Sequence, residues 1–146
     1  MRIYLDTCSL QRPLDSKTQI RIALEAEAVL GVLMLCESGS VELVSSDALL
    51  FETERNPNMT RREYALAALS QAKVFVALTE AVEKRAKELN ATGLKPLDCL
   101  HLASAEAAQA DCFCTCDDRL LKQGKAIVSL KVRVVSPIEL VKEIAP

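Results

Sequence analysis

Four acidic residues stand where a carboxylate can do chemistry: Asp6 after RIYL, Glu52 inside ALLFETER, Asp98 inside LKPLDCLHLASA and Asp117 inside CTCDDRLL. Carboxylates gathered on one rim repel, and each raises the pKa of the others. A hard divalent cation is the natural compensation, and ligands that are all oxygen suit Mg²⁺ or Mn²⁺ best. The first helical turn expected around Asp98 adds a positive backbone end that favours its ionised form. Asp118, beside Asp117, is an auxiliary acid.

Sulfur offers a competing chemistry. DCFCTC places Cys112, Cys114 and Cys116 at alternate positions, and in an extended chain they share one face while Phe113, Thr115 and Asp117 share the other. These thiols are therefore expected to point away from the acid. A zinc site needs about four soft ligands. It would have to recruit Cys8, Cys36, Cys99 or His101 from scattered segments with no Cys-x-x-Cys pair. The cysteines read instead as small buried hydrophobes.

Other polar groups are weighed the same way. A strand-end aspartate taken alone is a common turn former or helix cap, so the four acids carry meaning only jointly. His101 lies one turn after Asp98 but between Leu100 and Leu102, and reads as a packed side chain rather than a catalytic one. Thr7, Ser9 and Thr115 carry hydroxyls suited to capping, with Thr115 the best auxiliary to the site. Arg12, Lys17, Arg21, Arg61, Arg62, Lys95 and Arg119 are candidates to hold phosphates, against a default of scattered surface charge. The chain has two tyrosines, three phenylalanines and no tryptophan. Tyr4, Phe75 and Phe113 read as strand core, which leaves little for stacking bases.

The elements that must position these groups alternate in type. RIYL and VELVSS read as the first two strands, with a helix over 17–37 between them. Asp47 is expected to cap ALLFETER, which Asn56-Pro57 stops. A Thr60/Glu63 capping box would start the next helix, running to about Ala72. KVFVAL is the third strand, and Thr79 caps EAVEKRAKELN, closed by Gly93. Lys95-Pro96 opens the helix carrying Asp98, with proline suited to its first position. DCFCTC is the fourth strand, RLLKQG a short helix, VRVVS the fifth strand and PIELVKEIA a terminal helix. Alternation of this kind implies an α/β fold with a mostly parallel sheet of about five strands covered on both faces. Ligands of such sheets collect at the carboxyl ends of strands.

Composition is consistent with one domain over 146 residues, half of them hydrophobic. The 18 basic and 20 acidic residues exclude a surface that binds polyanions indiscriminately. Val29–Cys36 is apolar but too short to span a bilayer, and glutamates flank it, so no membrane segment is expected. With no charged-then-apolar leader before Asp6, reduced thiols and a cytoplasmic location are expected.

Taken in order, YLDTCSL, LKPLDCLHLASA and CTCDDRLL resemble the first motif, central helix and last acidic motif of PIN-domain nucleases. The resemblance runs nearly end to end and is nearest to the compact VapC-like members, many of which are toxins of toxin–antitoxin pairs. It implies a three-layer α/β/α fold and a Mg²⁺- or Mn²⁺-dependent endoribonuclease. Asp6, Glu52, Asp98 and Asp117 would be both metal ligands and catalytic groups. At the second motif Glu54 competes with Glu52, and on a helix the two point apart. RNA as substrate, a homodimer, and an antitoxin that covers the acidic rim with an inserted arginine are likewise implications of the resemblance. Two alternatives differ in class: an RNA-binding or RNA-processing relative with little cleavage activity, and an aspartyl phosphatase. The phosphatase would want an aspartate two after Asp6, where this chain has Cys8.

Overall fold

The computed structural model describes residues 1–145. Five strands, β1 (Arg2–Leu5), β2 (Glu42–Ser46), β3 (Val74–Val76), β4 (Cys112–Cys114) and β5 (Arg133–Val135), form one sheet in the order β3-β2-β1-β4-β5. Every neighbouring pair is parallel. Parallel neighbours require crossovers, and the helices supply them, covering the sheet as the outer layers of a three-layer α/β/α fold. These are α1 (Thr7–Gln11), α2 (Ile20–Glu37), α3 (Asp47–Glu54), α4 (Met59–Leu69), α5 (Glu80–Asn90), α6 (Pro96–Ala107), α7 (Asp118–Lys125) and α8 (Pro137–Ile144).

The first strand is the spine. Ile3, Tyr4 and Leu5 are fully buried, as residues of a central parallel strand must be. Tyr4 pairs in register with Phe113 of β4, and their rings stack at 5.2 Å between centroids. Among the described residues no helix is long and apolar enough to cross a membrane. All six cysteines are free.

Several local expectations are corrected. Asp6 caps a short helix, α1, which runs into a 3₁₀ turn over Arg12–Leu14, and α2 starts only at Ile20. Helices of one turn leave no periodic trace in a sequence. Ser46, not Asp47, caps α3: its hydroxyl accepts the Leu49 N–H at 3.1 Å. The Asp47 carboxylate reaches instead to the Leu78 N–H at 2.7 Å and ties the end of β3 to α3. The cap of α4 is Asn58 rather than Thr60, and that helix ends at Leu69 rather than Ala72. Asn58 is itself braced by Asn56, whose side-chain oxygen accepts the Asn58 N–H at 2.9 Å. Phe75 is 54% exposed rather than core, because β3 is an edge strand and Phe75 faces outward from it.

That difference is measurable. Truncating Phe113→Ala removes a buried ring and is expected to cost about 3–5 kcal/mol, whereas Phe75→Ala should stay within roughly 0.5 kcal/mol of the parent. Denaturant unfolding of the two variants checks the burial assigned to each.

Candidate active site

The site forms where the chain leaves the central strands. Asp6 directly follows β1, and its N–H donates to the Cys114 carbonyl at 3.1 Å, extending the β1–β4 pairing by one residue. This register sets Asp6 beside the segment Thr115-Cys116-Asp117. The buried Asp6 carboxylate accepts the Ser9 N–H at 3.0 Å, so it is also the cap of α1, and it accepts the Cys8 thiol at 3.1 Å. Burial pushes the Asp6 carboxyl up, and hydrogen bonds from Thr115, Cys8 and Ser9 work against it. Asp117 likewise caps α7, accepting the N–H groups of Arg119 and Leu120 at 2.9 and 3.1 Å. The buried Thr115 hydroxyl accepts the Asp117 N–H at 3.0 Å, which fixes the turn between the two acids.

Glu52, on the second turn of α3, reaches toward α1 and α6. Its Oε1 receives the Thr7 hydroxyl and stands 3.1 Å from His101 Nε2. Burial alone would raise this carboxyl, but the hydrogen bonds from His101 and Thr7 outweigh it and hold Glu52 below its ordinary value. Glu54 is exposed. Asp98, at the third position of α6, makes no hydrogen bond or ion pair among the described residues. Burial is the main influence raising it; the charges of Asp6, Asp117 and Glu52 add to this, and His101 pulls the other way. The four acids thus share one electrostatic neighbourhood. Among the described residues, however, no three His, Cys, Asp or Glu side chains converge tightly enough to grip an ion as they stand. Asp6 and Asp117 are turned onto the helix ends they cap, so a shared ion would require side-chain rotation.

Asp118 stands apart from this group. It is exposed and forms a two-pronged pair with Arg21 at 2.7 and 2.8 Å, which holds its carboxyl below the usual range. Arg21 also donates to the Cys116 carbonyl at 3.2 Å and lies 3.5 Å from the buried Glu25. Glu25 in turn pairs with Arg12 at 2.8 Å. These links tie α2 to the turn that carries Asp117, and nothing local in the sequence announces them. Of the proposed phosphate-holding residues, Arg12 and Arg61 share Asp15, Lys17 donates to the Pro13 carbonyl, and Arg62 donates to the Asn56 carbonyl. Lys95 and Arg119 are exposed and make no ion pair among the described residues.

The thiols fall into two groups. Cys112, Cys114 and Cys116 are all buried; the strand ends at Cys114, and the Thr115 N–H still donates to the Val135 carbonyl at 3.0 Å. Ser9 Oγ lies 3.7 Å from Cys114 Sγ and 3.6 Å from Cys116 Sγ, while its hydroxyl donates to the Cys114 carbonyl. Cys8 is the thiol that touches an acid. Thr7 and Ser9, expected as caps, instead bridge to α3 and β4. His101 is packed as expected, yet it is linked to Glu52; Tyr4 and Ser46 stand behind it, with Tyr4 Oη 2.7 Å from His101 Nδ1 and 2.8 Å from Ser46 Oγ. Burial pushes the Tyr4 phenol far up, which keeps it a hydroxyl donor.

A parallel five-stranded sheet with acidic groups at the carboxyl ends of its central strands puts them where α/β sheets of this kind collect their ligands. The PIN domain matches residues 3–126, and the chain belongs to the PIN-domain family, whose members are generally nucleases. Two solved structures share the fold at 14% identity. VapBC2 from Rickettsia felis, bound to a DNA fragment from its promoter, aligns with a TM-score of 0.60 over 93% of this chain and 98% of the other. PAE2754 from Pyrobaculum aerophilum aligns with a TM-score of 0.54 over 99% and 98%. No curated protein matches the sequence.

The raised Asp98 carboxyl has a consequence for stability. Such a group favours the fold most below the ordinary carboxylate range, near pH 3.9, and that contribution is lost as pH rises through its raised folded value. In EDTA at pH 7, Asp98→Asn should therefore melt above the parent, and the gap should close as pH falls to about 4. Thermal melts of both proteins across this range check the sign.

Proposed function

We propose that this protein is a VapC-like endoribonuclease that cuts RNA with a divalent metal held by Asp6, Glu52, Asp98 and Asp117. The observation that carries the reading is the parallel β1–β4 register, which brings Asp6 beside the segment carrying Asp117 at the carboxyl ends of the central strands, with Asp98 and Glu52 close enough to feel their charge. The donor set fits Mg²⁺ or Mn²⁺: it is all oxygen, and Asp98 and Glu52 Oε2 have no competing hydrogen bond among the described residues. When bound, the metal would supply Lewis acidity that activates water and offsets charge on the departing 3′ oxygen.

The chain's own groups do the rest. Asp6 is buried and Asp98 half-buried, so both present charge where water screens it less than in the open. Thr115 and the cap of α7 fix where Asp117 stands. Lys95, three residues before Asp98, and Arg119, two after Asp117, are exposed and would meet substrate phosphates. No protein nucleophile is needed, and the product carries a 5′ phosphate. An antitoxin partner is part of this reading, supported by the fold shared with VapBC2, as are a homodimer and a cytoplasmic location. Asp118, held by Arg21, acts on the turn behind Asp117 rather than as a ligand.

Purified protein should cleave single-stranded RNA with Mn²⁺ or Mg²⁺ and stop in EDTA. Asp6→Asn, Asp98→Asn, Asp117→Asn and Glu52→Gln should each lose roughly 100-fold or more of that activity while still folding, because an ion stabilises the transition state by several kcal/mol. Glu54→Gln should match the parent. Undiminished cleavage in EDTA refutes the metal role. Unchanged cleavage by Asp6→Asn and Asp117→Asn would reduce both residues to helix caps, and metal-stimulated RNA binding without cleavage would favour a non-toxin RNA-binding role.

A further inference from the structure

We infer that His101 is a positioning residue for Glu52, held from behind by Tyr4 and Ser46, fixing one carboxylate oxygen so that the other is left for a ligand. The inference rests on the reading of Glu52 as a metal ligand. Four elements contribute to the chain of contacts: Ser46 ends β2, Tyr4 lies in β1, His101 in α6 and Glu52 in α3. Tyr4, Ser46 and His101 are buried, so their hydrogen-bonding groups must be satisfied by one another.

The donors can be assigned by counting. Glu52 Oε1 is an acceptor, so His101 Nε2 carries a hydrogen and donates to it. Ser46 Oγ already accepts the Leu49 N–H, and its own hydrogen points to Tyr4 Oη. The Tyr4 hydrogen is then directed to His101 Nδ1, which accepts. This is the arrangement in which each hydroxyl and ring hydrogen has a partner. With the opposite direction, the Ser46 hydrogen is left without an acceptor in this chain of contacts. The relay therefore selects one tautomer of His101 and aims its Nε2–H at Glu52. Thr7 donates to the same Oε1, so both restraints fall on one oxygen, and Oε2 takes no hydrogen bond among the described residues.

The test is Mn²⁺ affinity by titration calorimetry on the full chain, alongside the melting temperature in EDTA. His101→Leu should weaken Mn²⁺ binding about 10- to 100-fold, the loss typical when a partner of a metal ligand is removed. His101→Gln, whose amide nitrogen can reach the Nε2 position, should recover most of it. Because His101→Leu strands the buried Tyr4 hydroxyl and could compromise folding, the double variant Tyr4→Phe/His101→Leu removes both groups. It should bind Mn²⁺ as weakly as His101→Leu. A merely structural histidine would move the melting temperature and leave Mn²⁺ affinity alone. Parent-like affinity in the double variant, or no recovery with Gln, overturns the positioning role even where Glu52→Gln weakens binding. Parent-like affinity in Glu52→Gln overturns the ligand reading itself and this inference with it, a different and separable result.

Discussion

The structure depends on the register between β1 and β4. Leu5 pairs with Cys114, and the Asp6 N–H extends that ladder. Because the strands are parallel, both chains leave the sheet on the same edge, and two acids 111 positions apart in sequence emerge side by side. Strand order then matters: β1 is followed in sequence by β2 on one side, while β4 lies on the other. The crossovers diverge at this point, the position where open α/β sheets collect their ligands. A slip of one residue would turn Tyr4 and Phe113 out of their stack and carry Asp6 to the wrong face.

Gathering carboxylates on one edge is costly, and the structure offsets it in two ways. Asp6 and Asp117 each cap a helix, so backbone N–H groups partly balance their charge. Glu52 takes two side-chain hydrogen bonds on one oxygen and lies below its ordinary pKa. Asp98 takes no hydrogen bond among the described residues and is raised by burial and by the charges of the other three acids.

A second layer surrounds the acids. Arg21 joins Asp118, the Cys116 carbonyl and Glu25, so α2 steadies the turn before α7. Tyr4, Ser46 and His101 play the corresponding part behind Glu52. In both cases a residue on one element constrains an acid on another through groups that are buried or paired, which limits the rotations available to the site.

Much of this fold was legible without coordinates. The alternation of apolar runs gave five strands and the long helices, and proline before Leu97, threonine before Glu80 and glycine at 93 marked their boundaries through local backbone chemistry. The strand-end aspartates could be picked out because turn and strand preferences act over a few residues. The one-turn helix after Asp6, the caps at Ser46 and Asn58 and the exposure of Phe75 could not, since they depend on which neighbour arrives first or on which strand lies at the edge. The sequence by itself determined the types of element and the acidic residues that end them, because those follow from local periodicity and short-range sterics. Only the tertiary structure decided that Glu52 rather than Glu54 faces His101, that Cys8 touches Asp6 and that Arg21 holds Asp118, because each contact joins segments whose spacing is fixed by strand order and register.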